Sequence, residues 1–230
     1  MKKVLIFDFG GTIVTDESDD VLHMRFYKEF INRFNIPAQP EEMFQFLKAE
    51  IKEVLKTAHE KWENLSMAYT KALEQFLKSK NIEVTSDHLK TFRELYLKYH
   101  EKFTEPFPDA VETLFKLKSL GFRLAIISNI DNEIIEPVLK KLGIYDIFEV
   151  IVTSEELGFG KPNIKIFEET LKRLGISSKD AIFIGDSYTN DVEGAKKAGM
   201  DAIHFGVDCK NWRELFDEIL NRGLKNGCNN

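Results

Sequence analysis

Val4-Leu5-Ile6-Phe7-Asp8-Phe9-Gly10-Gly11-Thr12 is the stretch that decides the fold of this chain. Four apolar residues, a carboxylate and a glycine pair read as a buried strand that presents Asp8 at its end. The glycines then form a turn that lets backbone approach a ligand closely. Open α/β sheets bind their ligands at the carboxyl ends of strands, so Asp8 stands where chemistry is expected. Taken alone, the stretch fits equally well a strand whose aspartate merely starts a turn. The rest of the chain separates the two readings.

Outward from this strand the pattern changes twice. After Thr12 comes an acidic cluster, Asp16, Glu17, Asp19 and Asp20, which reads as a solvated helix start rather than a metal site. A first helix carries Val21, Leu22, Phe26, Phe30 and Ile31 at helical spacing and stops at Pro37 and Pro40. Glu41 to Thr57 reads as a second, with Phe44, Leu47, Ile51, Val54 and Leu55 as its stripe. Asn64 to Ser79 reads as a third, and a fourth is capped by Ser86 or Asp87. No strand signal occurs from residue 15 to about 103, so this region is expected to be a helical bundle of its own. Beyond Glu105-Pro106-Phe107-Pro108 a helix closes at Gly121, and strands then alternate with helices. The strands are expected at 124–127, 148–152, 181–184 and 202–205, with a closing helix from Trp212 to Leu220. This rhythm implies a parallel sheet with helices on both faces, which the first strand joins across the helical insert. The fold class is therefore α/β: a Rossmann-like parallel sheet core plus an inserted α-helical cap. Residues 1–14 and 106–230 form the core domain and 15–105 the cap domain, with linkers near Thr15 and Glu105–Pro108.

Composition bounds the function. The 230 residues are 43% hydrophobic and 30% charged, which suits a globular protein with a sizeable core. A formal net charge of −6 argues against a nucleic-acid partner, which needs a basic face. Cys209 and Cys228 form neither a disulfide framework nor a zinc site. The start Met1-Lys2-Lys3 mimics a signal peptide, but Asp8 interrupts the apolar run too early. No stretch approaches the ~20 apolar residues of a membrane span. A cytoplasmic location without membrane association is expected. The oligomeric state is not readable.

Four strand ends carry polar residues in order: Asp8, then Ser128-Asn129, then Gly160-Lys161-Pro162, then Gly185-Asp186-Ser187-Tyr188-Thr189-Asn190-Asp191. In a parallel sheet these loops converge on one edge. Acidic oxygens suit Mg2+, one carboxylate can attack phosphorus, and a lysine neutralises phosphoryl oxygens. Ser128 and neighbouring amides can hydrogen-bond a phosphoryl oxygen.

With these motifs assembled, the chain resembles the haloacid dehalogenase (HAD) superfamily, whose largest branch is Mg2+-dependent phosphatases. The motifs are FDFGGT (7–12), ISN (127–129), GKP (160–162) and GDSYTND (185–191), and the insert resembles the family's helical cap placed after the first motif. The resemblance covers nearly the whole chain. It implies that Asp8 is the nucleophile and a metal ligand, with the Gly10 backbone carbonyl, Asp186 and Asp191 completing the Mg2+ site. It implies that Ser128 and the amide of Asn129 bind the phosphoryl group, that Lys161 bridges nucleophile and phosphate, and that Asn190 orients its loop. The substrate implied is a small phosphorylated metabolite, hydrolysed through an aspartyl-phosphate.

One departure stands out. Family phosphatases usually place a second aspartate two residues after the nucleophile, to protonate the leaving oxygen and later activate water. Here that position is Gly10. General acid–base help is typically worth ~10²–10⁴ in rate. Three readings follow: a phosphatase that works without this acid or with a substitute such as Asp16, Glu17 or another cap residue; a 2-haloacid dehalogenase-like hydrolase using Asp8 without metal; or a non-catalytic phosphometabolite-binding protein. The intact Gly185-Asp186 argues for a metal site and hence for the first. Sugar 1-phosphates and acyl or aryl phosphates should then turn over better than alkyl esters. The aromatics Phe26, Tyr27, Phe30, Tyr69, Tyr96 and Tyr99 are expected mainly in the bundle core, and the scattered histidines suggest no role.

Overall fold

The computed structural model describes residues 4–56 and 59–225, with the side chains of all of these except 16–19 and 223–225. Cys228, Thr57 and the side chains of Asp16 and Glu17 lie outside what is described. Five strands form one parallel sheet: β1 (Val4–Phe7), β2 (Arg123–Ser128), β3 (Phe148–Thr153), β4 (Ala181–Gly185) and β5 (Asp201–His204). Their order is β3-β2-β1-β4-β5. The chain leaves central β1 for the β2–β3 side and later returns to the β4–β5 side, so strand order reverses beside β1. Such a switch point opens a crevice at the strand ends, where Asp8 lies.

Alternation along β1 builds the layers. Leu5 and Phe7 join one cluster with Leu124, Ile126, Ile182 and Ile184, covered by α5 (Ala110–Ser119), α6 (Asn132–Lys141) and α10 (Trp212–Lys225). Val4 and Ile6 join the opposite cluster with Ala125, Ile127 and Phe183, covered by α8 (Ile164–Leu174). A four-residue helix, α7 (Ser154–Leu157), follows β3, and another, α9 (Gly194–Lys197), precedes β5.

The insert comprises α1 (Asp16–Phe34), α2 (Pro40–Lys56), α3 (Leu65–Ser79) and α4 (Ser86–Phe103). Leu22, Phe26 and Phe30 of α1, Leu47 of α2, Phe76 of α3 and Phe92 of α4 bury one another in a third cluster, joined from the sheet side by Ile134 of α6. The two connections to the sheet run side by side. Val14 bridges Pro106 antiparallel. The Thr15 N–H donates to the Glu105 carbonyl at 3.0 Å, and the Phe107 N–H to the Ile13 carbonyl at 2.9 Å.

Several expectations shift locally. Val21 and Leu55, expected on buried stripes, are exposed, while Met43 takes an unexpected core place. The cap of α4 is Thr85 rather than Ser86 or Asp87: its hydroxyl accepts from the His88 N–H at 3.3 Å, and the His88 ring accepts from the Thr85 N–H at 3.1 Å. The helix expected from Val192 begins earlier, as a π-helical stretch over Tyr188–Glu193. The last strand is displaced by one residue, and the closing helix continues past Leu220.

Candidate active site

Hydrogen bonding fixes the loop after β1. The Asp8 N–H extends the ladder to the Ile184 carbonyl at 2.8 Å, and the Ile13 and Val14 N–H groups both turn back to the Phe9 carbonyl, at 2.8 and 3.0 Å. Gly11 holds φ +68, and a Cβ there would lie 2.6 Å from the Asp186 carboxylate. Glycine thus permits both the left-handed backbone and the close approach. From beneath, the Trp212 indole N–H donates to the Thr12 carbonyl at 3.0 Å and its ring stacks on Phe7, centroids 5.7 Å apart.

The four loops meet. Lys161 Nζ lies 2.8 Å from Asp8 Oδ1 and 2.6 Å from Asp191 Oδ1. One oxygen from each of Asp8, Asp186 and Asp191 falls within 4.8 Å of the others. Asp191 is fully buried, and its Oδ2 also accepts from the Ser187 N–H at 2.9 Å. The Asn190 N–H donates to the Ser187 hydroxyl at 3.3 Å, so Asn190 belongs to the turn that frames Asp191. The Thr12 hydroxyl reaches Asp186 Oδ1 at 3.4 Å, and a ring nitrogen of His204 pairs with the Asp186 carbonyl at 2.8 Å.

The electrostatics follow from crowding. Burial pushes the Asp8 carboxyl up to about 6; Lys161 pulls it down, and Asp191 pushes it further up. Asp186 is raised by burial and then by Asp8. For Lys161, burial favours the neutral amine, but Asp191 and Asp8 outweigh it and hold the ammonium above its ordinary range. Three carboxylates facing one ammonium leave a net negative pocket of oxygen donors, the donor set that fits a hard divalent cation such as Mg2+.

Ser128 is buried at the end of β2 and lines the same cavity as Asp8, Gly10, Asn129, Lys161 and Asp186, a space of about 460 Å³ between the sheet edge and the insert. The Asn129 side chain has a further task. Its Oδ1 accepts from the Lys161 N–H at 2.7 Å and its Nδ2 donates to the Lys161 carbonyl at 2.9 Å, clamping the lysine peptide. Gly160 leaves room for this clamp, since a Cβ there would lie 2.4 Å from Asn129 Oδ1. At Gly10 a Cβ would meet nothing within 4 Å, so the missing aspartate leaves open space.

The sequence reading missed a second polar contact between insert and sheet. Asp131, fully buried three residues after Ser128, accepts from the Trp62 indole N–H at 2.8 Å and from the Ser66 N–H at 3.1 Å. It thereby holds the start of α3. Asn64 Nδ2 donates to Glu155 Oε1 at 2.6 Å beside it, and the Trp62 N–H to the Gly158 carbonyl at 2.7 Å. A carboxylate at the start of α6 was the available signal, but it gave no hint of partners more than sixty residues earlier. Of the aromatics, Phe26, Tyr27, Phe30 and Tyr96 are core as expected; Tyr96 also lines the cavity, with Tyr69, His23 and His100.

Comparison with known proteins points the same way. The chain is similar to the glyceraldehyde 3-phosphate phosphatase of Methanothermobacter thermautotrophicus, 45% identical over 108 residues, 46% of this chain and 48% of that protein. It therefore spans about half the length of the first curated relatives it matches. It is 29% identical to the phosphoglycolate phosphatase of Colwellia psychrerythraea over 230 residues, covering 95% and 96% of the two chains. The fold is shared with the magnesium-bound HAD-hydrolase YfnB of Bacillus subtilis: TM-score 0.78 at 24% identity, over 96% of this chain and 99% of that one. A family model matches residues 5–205, from the middle of β1 to just past β5. With four loops gathered at one sheet edge and a match across nearly all of that sheet, the chain belongs to the haloacid dehalogenase-like hydrolases.

Proposed function

We propose that this chain is a Mg2+-dependent phosphatase acting on a small phosphorylated metabolite through an aspartyl-phosphate on Asp8. The observation that carries the reading is the bridge of Lys161 Nζ between Asp8 at 2.8 Å and Asp191 at 2.6 Å, beside Asp186. Asp186 beside this pair, at the opening of the fourth loop, offers a metal a third carboxylate, which favours this reading over a metal-free attack on carbon.

Asp8, Asp186 and the Gly10 carbonyl would hold the cation, with Asp191 completing the site. Bound there, Mg2+ would neutralise phosphoryl charge and orient the ester. Ser128 Oγ and the Asn129 amide would hold phosphoryl oxygens at the end of β2. Lys161 orients the Asp8 carboxylate and offsets charge on the transferring group. Asp8 attacks phosphorus; the bond to the leaving oxygen breaks, and that oxygen takes its proton from solvent water, since Gly10 offers none. Water then attacks phosphorus, the Asp8 oxygen–phosphorus bond breaks, and inorganic phosphate leaves with Asp8 restored.

Residues 1–14 with 106–230 act as the catalytic core and 15–105 as a cap that excludes water. Among the described residues no helix is long and apolar enough to cross a membrane. The test is p-nitrophenyl phosphate hydrolysis with and without Mg2+. Many turnovers that need Mg2+ and vanish in Asp8→Asn are expected. A single stoichiometric release, or none, would leave a binding protein instead.

A further inference from the structure

The sheet-edge side of the cavity carries Asp8, Lys161 and Asp186, whereas the lining residues that the insert contributes include no Lys, Arg, Asp or Glu among those described. Away from Asp8, the wall is built by His23, Tyr69, Tyr96 and His100, with Ile51 and Leu65 beside them. The four rings form a closed circuit. Centroids lie 5.3 Å apart from His23 to Tyr69, 4.9 Å from Tyr69 to Tyr96, 4.4 Å from Tyr96 to His100 and 5.1 Å from His100 back to His23.

Charge is the telling absence. Among the described residues lining this space, Lys161 is the one Lys or Arg, and it is already committed to Asp8 and Asp191. The undescribed side chains nearest in sequence to the cavity's lining residues Thr15 and Leu55, those of 16–19 and 57–58, are Asp, Glu, Ser, Asp, Thr and Ala, none of them a cation. A second anionic group on the substrate would leave water with no Lys or Arg on this wall to receive it. A neutral leaving group with an aromatic ring or a CH-rich face loses nothing comparable and gains contact with the ring wall.

Building on the phosphatase reading, we propose that the substrate is a phosphomonoester of a neutral alcohol, and that this wall rejects a second carboxylate or phosphate. A matched pair tests it: glyceraldehyde 3-phosphate against 3-phosphoglycerate, which share a three-carbon skeleton and a primary ester and differ in an aldehyde against a carboxylate. Assays run at pH 8, above the ordinary imidazole range, with p-nitrophenyl phosphate as reference. The neutral ester should show a kcat/KM at least about tenfold higher, expressed chiefly in KM. Leu55→Arg, at the partly exposed rim of the cavity, should shift that ratio toward 3-phosphoglycerate. A kcat/KM for 3-phosphoglycerate equal to or above that for the aldehyde overturns the proposal, as does a ratio untouched by the added arginine. Failure to release phosphate from all three esters, p-nitrophenyl phosphate included, would instead remove the phosphatase reading on which it rests.

Discussion

At Lys161 a single buried ammonium separates two buried carboxylates. Removing it in Lys161→Met leaves Asp8 and Asp191 without a cation, and breaking a buried pair of this kind costs about 3–5 kcal/mol. Urea denaturation should show that loss alongside lost turnover. Substitution at Gly10 works in the other direction. The position has space for a side chain, so Gly10→Asp should restore a proton donor and raise alkyl phosphate turnover by ~10²-fold, with a much smaller gain for p-nitrophenyl phosphate. Equal gains on both esters would show that leaving-group protonation is not what the wild type lacks. That Asp8, Ser128, Asp186 and Asp191 share one sheet edge was legible because each ends, or lies a few residues beyond, an apolar run that reads as a buried strand; Lys161, past α7, was reached only through its Gly-Lys-Pro motif. The Asn129 clamp was not, because a helix cap, a phosphate ligand and a peptide clamp all present the same amide to a sequence reader.

Between elements, Asp131 joins the start of α6 to the start of α3. Its carboxyl is pushed up to about 6 by burial first, with the Trp62 and Ser66 hydrogen bonds pulling it down and Glu155 pushing it up. The native acid thus binds its proton more tightly than the unfolded one, whose ordinary value is 3.8. Its contribution to stability is greatest below 3.8 and declines as pH rises through about 6. The stability difference between wild type and Asp131→Asn, measured by thermal unfolding, should therefore favour wild type more at pH 4.5 than at pH 7. A difference that is flat, or that grows with pH, would mean the carboxyl titrates normally. Strand and helix identities were legible from period alone, and most boundaries fell within a residue or two. The cap of α4 was missed because a histidine completes the pairing with Thr85, where Glu or Gln is the usual signature.

Across the whole molecule, the insert has its own buried aromatic cluster and meets the sheet side through contacts that include the two linkers, Ile134, the Asp131 hydrogen bonds and the Asn64–Glu155 and Arg93–Glu133 pairs. The two tryptophans report on the two regions. Trp62 lies at the boundary, and Trp212 is fully buried in the core. In single-tryptophan variants, Trp212→Phe and Trp62→Phe, urea should expose Trp62 before Trp212. Coincident transitions would mean that cap and core melt as one cooperative unit. The helical insert was legible because some ninety residues carry no strand signal. Its seating on the sheet was not, because those contacts join residues far apart in the chain.

The paired linkers have a consequence for how such a chain diversifies. Because Val14 and Pro106 lie side by side, the polypeptide leaves and re-enters the sheet through one doorway. Whatever is strung between those two points can lengthen, shrink or be exchanged without rethreading a strand, and closing a loop of a different length costs little. The cavity wall contributed by the insert and the carboxylates at the sheet edge are therefore separately heritable parts. A new specificity can arrive as a cassette while the chemistry stays in place.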